Sequence, residues 1–280
     1  MLFFIIFVLR YISIIVISPD DRSFDRLMRI AERLRKRGKR MKRITLKDIS
    51  NATGFSINTV SHALRGKDDI SAATRDLIRK KAAEMGHISN SVASSLRSGF
   101  TNSIAIILGD ISNPHFAIMT REITETAGKA GYSAVLTNTD EDEGKERLAI
   151  LAALNKGADG IILCPAQNTA DNIHYMNDMN IPFVLIGRRF PQEDTNYVIC
   201  DDELGGFQAT ECLLKHGHRH ILMLNGPSWI SSAQERLAGY KKAHAAFGVQ
   251  INESLIHELP IVTGRIKDAV RSIIKNSPYF

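Results

Sequence analysis

Three histidines stand close together in the run HGHRH, and side chains of this type could hold a metal ion. His216, His218 and His220 alternate, so they would share one face of a strand. The run, however, falls between the end of a predicted helix and the start of a predicted strand. No carboxylate or cysteine constellation accompanies it. We therefore expect no metal site.

Catalytic chemistry needs a nucleophile, a base and a group that orients the base, and no such set emerges from the sequence. The three cysteines, Cys164, Cys200 and Cys212, show neither paired metal spacing nor the density of a disulfide framework. They fit buried free thiols in a reducing cytoplasm. The sequence therefore argues against an enzyme, and no cofactor is expected.

The charges are distributed unevenly along the chain. Residues 1–41 hold 10 basic and 4 acidic side chains, residues 42–100 hold 10 and 5, and residues 101–280 hold 16 and 21. The corresponding net charges are +6, +5 and −5. A basic segment over residues 1–100 followed by an acidic segment over 101–280 indicates that only the N-terminal part binds a polyanion.

Capping residues divide the basic segment over residues 42–100 into three short predicted helices. Thr45 followed by Asp48 resembles a capping box with Asp in place of Glu, and Gly54 supplies a turn. Ser56 can cap a second helix and Ser71 a third. Helices this poor in apolar residues mainly present a surface. The pattern fits a helix-turn-helix, which reads the major groove, and equally a helical cap on a larger α/β domain.

Beyond residue 101, apolar runs alternate with amphipathic helical patterns, which is typical of parallel sheets covered on both faces. The clearest predicted strands are "SIAIILG", "YSAVLTN", "DGIILCP", "PFVLIG" and "HILMLNG". In such sheets, ligands bind beyond the carboxyl ends of the strands. The fold class expected is α/β, with a small helical domain in front.

Several ordered motifs resemble the LacI/GalR family of bacterial transcription regulators. They begin with the run from Ile44 to Phe116 and continue with "GADGIILCP", "IPFVLIGRR", "DDELGGFQATECLLKHGHRHI" and "ERLAGY". The likeness covers residues 42–280. It implies a helix-turn-helix domain over 42–88, a hinge helix over 89–100, and a doubly wound effector-binding domain over 101–280 that is similar to periplasmic sugar-binding proteins. The implied function is a DNA-binding regulator, usually a repressor, controlled by a sugar-like effector.

The resemblance assigns roles to residues of the second predicted helix. Ile57, Asn58 and His62 occupy the positions that read bases in the family, although spacing alone would place Ile57 in the core. An apolar Ile57 would meet a thymine methyl group, and Asn58 suits adenine. His62 is a departure, because many members carry arginine there. Imidazole cannot make the two-pronged contact of guanidinium with guanine.

Other residues are implied to contact the DNA backbone or the minor groove. Thr45, Ser56 and Ser61 are expected to hold phosphates, which orient the helix without specifying sequence. The predicted hinge "NSVASSLRSG" is too short to persist alone in water and would become ordered on the operator. Within it, Leu96 matches the leucine that the family inserts into the minor groove.

Five residues near predicted strand ends are implied to line the effector pocket. They are His115, Phe116, Arg188, Asp201 and Arg236. Arg236, in "ERLAGY", is the strongest candidate, since its counterpart in the family holds effector oxygens with a rigid fork of donors. Gly187 stands where many members have aspartate, so one polar contact expected of the family is missing.

The two ends of the chain depart from the family pattern. Residues 1–41 form an apolar and then basic extension, but Arg10 interrupts the apolar run and no small-residue cleavage site follows. We expect translation to begin at Met41. A secreted or membrane-tethered sugar-binding protein, the alternative function, would require this run to be a targeting segment. At the other end, the family continues past Phe280 into the rest of the second subdomain. Without that part, we expect neither a stable homodimer nor an effector response.

Overall fold

The computed structural model describes residues 44–87, 99–261 and 263–276. The chain divides into two compact units, residues 1–89 and residues 90–280. The extension over 1–41 and Leu96 of the predicted hinge lie outside the described residues. None of the helices in the described ranges has the length and apolar character needed to cross a membrane.

The first unit contains three helices, α1 (Leu46–Thr53), α2 (Ile57–Arg65) and α3 (Ala72–Glu84). Each predicted cap is confirmed. The Thr45 hydroxyl accepts a hydrogen bond from the backbone N–H of Asp48, whose carboxylate accepts one in return from the N–H of Thr45. Ser56 caps α2 and Ser71 caps α3 in the same way, each through a backbone N–H three residues later. Each cap satisfies a backbone donor that a helix start leaves unpaired.

A small core joins these helices. Its fully or nearly fully buried side chains are Ile49, Val60, Ala63, Ile78 and Ala82. The turn between α1 and α2 depends on Gly54, which adopts a left-handed backbone with φ of 74°. This conformation disfavours residues that carry a Cβ atom. The core therefore fixes the angle between α1 and α2 through side chains on their inner faces.

The second unit is built on a parallel five-stranded sheet of order β2-β1-β3-β4-β5. The strands are β1 (Ser103–Leu108), β2 (Ser133–Asn138), β3 (Gly160–Leu163), β4 (Phe183–Ile186) and β5 (Tyr197–Val198). The connecting helices are α4 (Pro114–Lys129), α5 (Glu143–Asn155) and α6 (Asp171–Asp178). The order reverses between β1 and β3, and in doubly wound sheets such a switch point opens a crevice at the carboxyl ends of the strands.

Alternate residues of β1 enter two different cores, one on each face of the sheet. Ala105 and Ile107 pack in a cluster that contains residues of α5 and α6. Ile106 and Leu108 pack in a second cluster, together with Phe116 of α4. The near-continuous apolar run of this strand is thus explained by burial on both sides.

The remainder of this unit contains a parallel pair of strands and three further helices. They are α7 (Asp202–Lys215), β6 (Met223–Asn225), α8 (Ser231–Ala246), β7 (Ile256–Glu258) and α9 (Thr263–Asn276), with a short 3-10 turn at Glu253–Leu255. The strand β6 is shorter than the predicted run "HILMLNG", and β5 was not predicted. All five predicted strands nevertheless occur in the expected order, and the predicted α/β fold class is confirmed.

Helices α7 and α8 approach each other so closely that two glycines are required. A Cβ atom on Gly206 would lie 2.3 Å from the carbonyl oxygen of Arg236, and one on Gly239 would lie 2.0 Å from that of Glu203. Real Cβ atoms do not approach backbone atoms this closely. The crossing therefore sets the backbone position of Arg236 through direct backbone contact.

Candidate functional site

The first turn of α2 presents polar and apolar side chains at the surface of the first unit. Ser56, Ile57 and Asn58 are exposed, and Ile57 keeps 48% of its surface accessible. Val60 and Ala63, further along the same helix, are fully buried. Spacing alone would have buried Ile57. The exposed position is the one that the family resemblance implies.

His62 lies further along α2, and an acidic neighbour holds its ring. The Nδ1 atom of His62 is 2.6 Å from a carboxylate oxygen of Asp69, in the loop that follows the helix. Because an ionised carboxylate can only accept a hydrogen bond, this contact places a proton on Nδ1. A neutral ring then offers Nε2 as an acceptor. Sequence reasoning missed Asp69, which fixes the ring's orientation.

The predicted phosphate contacts occupy different local settings. The hydroxyls of Thr45 and Ser56 lie at the amino ends of α1 and α2 and are used in capping. Helix amino ends attract anions, because their backbone N–H groups point outward. Ser61 is different, since its hydroxyl and carbonyl oxygens both accept hydrogen bonds from the guanidinium of Arg65.

The predicted effector residues do not form one cluster. His115 is exposed on α4, whereas the neighbouring Phe116 is 7% exposed and packs in the core beneath the sheet edge. Asp201 caps α7 by accepting a hydrogen bond from the N–H of Leu204 at 2.9 Å. Arg236 donates to the carboxylate of Asp202 at 2.7 Å and keeps 41% of its side chain exposed.

Arg188, the fifth predicted residue, is already engaged by a carboxylate. Its two terminal nitrogens donate to the two carboxylate oxygens of Glu141, at 2.6 and 2.9 Å. One of them also donates to the carbonyl oxygen of Pro165 at 2.7 Å. Both side chains are more than nine-tenths buried. The pKa of the guanidinium is raised: burial, the largest influence, acts to lower it, but the charge interaction with Cys164 and the hydrogen bond and charge of Glu141 outweigh burial.

A hydrogen-bonded link joins the loop after β3 to the start of α8. Gln167 has a left-handed backbone with φ of 67°, and its side-chain oxygen accepts a hydrogen bond from the N–H of Ser231 at 3.0 Å. Its amide nitrogen donates to the carbonyl of Arg189 at 2.6 Å. Arg189 in turn donates from its backbone to the Ser231 hydroxyl and from its side chain to Glu235.

An open cavity of about 650 Å³ lies beside α7 and α8. Its lining comprises Arg189, Ile199, Cys200, Asp201, Glu203, Leu204, Phe207, Glu235 and Lys242. Only Asp201 belongs to the predicted effector set. The other four predicted residues lie elsewhere. The carboxyl ends of the strands, where Arg188 lies, are therefore the better candidate for the effector site.

The histidine run that could have bound a metal does not form a strand. His216, His218 and His220 lie in the segment between α7 and β6 and are exposed. His216 contacts the carbonyl oxygen of Cys212 through Nδ1 at 2.7 Å. Within the described part of the chain, no group of three or more metal-binding side chains converges.

Comparison with known proteins identifies the family of both parts of the chain. Residues 101–279 match the family described as periplasmic binding proteins and sugar binding domain of LacI family, and residues 45–90 match the bacterial regulatory proteins of the lacI family. The transcriptional regulator DegA of Bacillus subtilis is 30% identical over 239 residues, which cover 84% of this chain and 71% of DegA. The maltose regulon regulatory protein MalI of Escherichia coli is 30% identical over 240 residues, with 85% and 70% covered.

Solved structures show the same likeness. The lac repressor dimer bound to operator and the anti-inducer ONPF superimposes with a TM-score of 0.67 and 26% identity, over 75% of this chain and 64% of the repressor. The complex of the regulator CelR with cellobiose gives a TM-score of 0.57 and 26% identity, over 84% and 72%. These relatives are transcription regulators and not enzymes. The resemblance found in the sequence is confirmed, and the chain belongs to the LacI family of bacterial transcription regulators.

Proposed function

We propose that this chain represses transcription by placing α2 in the major groove of an operator, and that a small sugar-like molecule alters its operator affinity. The exposed first turn of α2, anchored by the buried Val60 and Ala63, is the observation that carries the proposal. A helix held from behind can present its outer face to base edges without losing its own core contacts. DNA binding implies that the protein acts in the cytoplasm.

Base reading in this proposal depends on three side chains of α2. Ile57 contacts a thymine methyl group, and Asn58 pairs with the donor and acceptor of adenine. His62, with its Nδ1 proton held by Asp69, accepts through Nε2 when neutral. An acceptor at this point favours the amine of adenine or cytosine over the acceptor-rich edge of guanine. Thr45, Ser56 and Ser61 hold phosphates, and Leu96 enters the minor groove.

The effector acts on the second unit in this proposal. His115, Arg188, Asp201 and Arg236 supply polar groups around the carboxyl edge of the sheet and the crossing of α7 with α8, and Phe116 supports that edge from the core. Arg236 is the principal contact, because its side chain remains partly exposed. A second copy is needed to read a second half-site, so a monomeric chain would bind its operator weakly.

Selection of binding sites from random DNA, followed by gel-shift titration, tests the DNA-binding part. Asn58→Ala should weaken binding by about 5- to 150-fold and relax the preference for adenine at one position of each half-site. Asn51→Ala, an exposed asparagine on α1, is the matched control and should leave the consensus unchanged. Binding should weaken as salt rises, because protein cations displace counterions from phosphates. Identical consensus sequences for both variants would contradict the assignment of α2.

The effector part is tested by the same gel shift with a panel of sugars, and a response would overturn the expectation from the sequence that this chain has none. Arg236→Gln should abolish the ligand response and leave operator binding without ligand unchanged, since Arg236 belongs to the second unit. Lys241→Gln, which removes a positive charge from the same helix at a side chain that does not line the open cavity, serves as the control. A full ligand response in Arg236→Gln would exclude this residue from the site.

A further inference from the structure

The Glu141–Arg188 pair occupies the place where a doubly wound sheet binds its ligand. Arg188 follows β4, and its guanidinium also contacts the carbonyl of Pro165, just after β3. The Glu141 carboxylate lies against Gly109 at the end of β1, where a Cβ atom would approach it within 2.2–2.8 Å. The ends of β1, β3 and β4 thus meet at one ion pair. This position lies beside the switch point between β1 and β3.

The backbone that delivers Glu141 adopts an unfavourable conformation. Asp140 and Glu141 are consecutive residues with left-handed φ angles of 54° and 58°. Side chains with a Cβ atom rarely adopt this region, and two in succession are costly. The N–H of Glu141 donates to the carbonyl of Gly109 at 3.2 Å, which holds the loop against β1. The structure therefore uses backbone strain to bring a carboxylate onto Arg188.

A guanidinium at the carboxyl ends of parallel strands can receive a carboxylate or phosphate, because its parallel N–H groups match two oxygens. Here both of those positions are filled from within the protein. An anionic ligand would have to displace a buried, bidentate partner and leave its charge unpaired, which is strongly unfavourable. A neutral hydroxyl or a cationic group meets no such barrier.

We propose that Glu141 is a specificity-determining residue. It occupies the two parallel N–H donors of Arg188 and restricts the effector to molecules that carry no negative charge where they contact the carboxyl ends of the strands. The effector class is then a neutral sugar or an amino sugar, and sugar acids and sugar phosphates that would place their charge at Arg188 are excluded. This inference rests on the proposed effector function of the second unit. The pair itself can be examined without DNA and without knowing the effector.

Thermal unfolding of the full chain in sodium acetate provides the test, with sodium chloride at equal ionic strength as the reference. Glu141→Ala leaves a space above Arg188 that acetate can enter. We expect its melting temperature to fall below that of the wild type and to recover in acetate, by about 5 °C at roughly 100 times the dissociation constant. The wild type should show no difference between the two salts.

Three further variants complete the experiment. Glu125→Ala removes an equal charge from an exposed pair with Lys129 and should not respond to acetate. Glu141→Ala combined with Arg188→Met should lose the recovery. Glu141→Gln keeps the side-chain size and covers the case in which Glu141→Ala does not melt cooperatively. It should show a weaker acetate response, because an amide accepts only one of the two donors.

A saturable acetate response in the wild type would overturn the inference, since the fork would then be open to anions. Absence of recovery in both Glu141→Ala and Glu141→Gln would also overturn it, because Arg188 would then not be reachable by a small anion from solvent. Either result leaves the operator assay untouched. Conversely, failure of the wild-type chain to bind any operator would refute the proposed regulator function and would not change the acetate result.

Discussion

Two adjacent glycines of α7 should respond to alanine with opposite signs. At Gly206, an added methyl group would lie 2.3 Å from the carbonyl oxygen of Arg236 and 3.0 Å from its Cα. These are backbone atoms of α8 and cannot rotate away. Overpacking of this kind costs about 3 kcal/mol, offset by about 1 kcal/mol of improved helix propensity. The net loss of about 2 kcal/mol corresponds to a melting temperature lower by about 4–8 °C.

Gly205 is exposed, has open space within 4 Å of its Cβ position and lies in the same helix. Gly205→Ala adds only the higher helix propensity of alanine, about 1 kcal/mol, so the melting temperature should rise by about 2–4 °C. Calorimetry or circular dichroism on the two variants measures both shifts. A rise in both melting temperatures would show that α7 and α8 are further apart than the structure has them. Gly206→Ala should also weaken the proposed effector response, because Arg236 would move with its backbone.

Three other changes test individual contacts. Asp69→Asn should alter base preference at the pair read by His62, because an amide can donate to Nδ1 and reverse which ring nitrogen carries the proton; site selection giving an unaltered consensus would refute this. Ser56→Ala removes the cap of α2 and should cost about 1 kcal/mol of stability, measured by urea unfolding, and a cost near zero would show that water replaces the cap. The pKa of His174 is raised above its ordinary value of 6.5 by the hydrogen bond and charge of Glu193. The stabilisation of the folded state by this pair is therefore fully present below pH 6.5 and is lost as pH rises through the raised pKa. Glu193→Gln should therefore lower the melting temperature at acidic pH and not at alkaline pH, and an equal effect at both would exclude the pair.

The local elements were predictable because their signals are local. Caps at Thr45, Ser56 and Ser71, and apolar runs bounded by polar residues, fix where helices and strands begin with little help from distant parts of the chain. Ile57 is the instructive exception, because an apolar residue at helical spacing normally indicates the core. Its exposure depends on where the neighbouring helices pack against α2, which periodicity does not contain.

The site was predicted less completely, because its decisive contacts join residues far apart in sequence. Glu141 lies in the acidic run "TDEDEGK", which reads as a solvated loop, and its partner Arg188 is 47 residues away. Arg188 was expected to face a ligand, and nothing in the sequence next to it indicates that a carboxylate of the same chain is its partner. Gln167 was missed for a similar reason, since a glutamine after a strand carries no signal of its left-handed backbone.

The contact between Gln167 and Ser231 has a consequence for how the second unit unfolds. Ile230, the residue before α8, has no side-chain oxygen with which to cap the helix. The acceptor comes instead from Gln167, 64 residues earlier, after the central strand of the five-stranded sheet. If either part loosened alone, a buried backbone donor would be left without a partner. Local opening at the start of α8 is thus coupled to the sheet, and amide exchange there should follow exchange of β3.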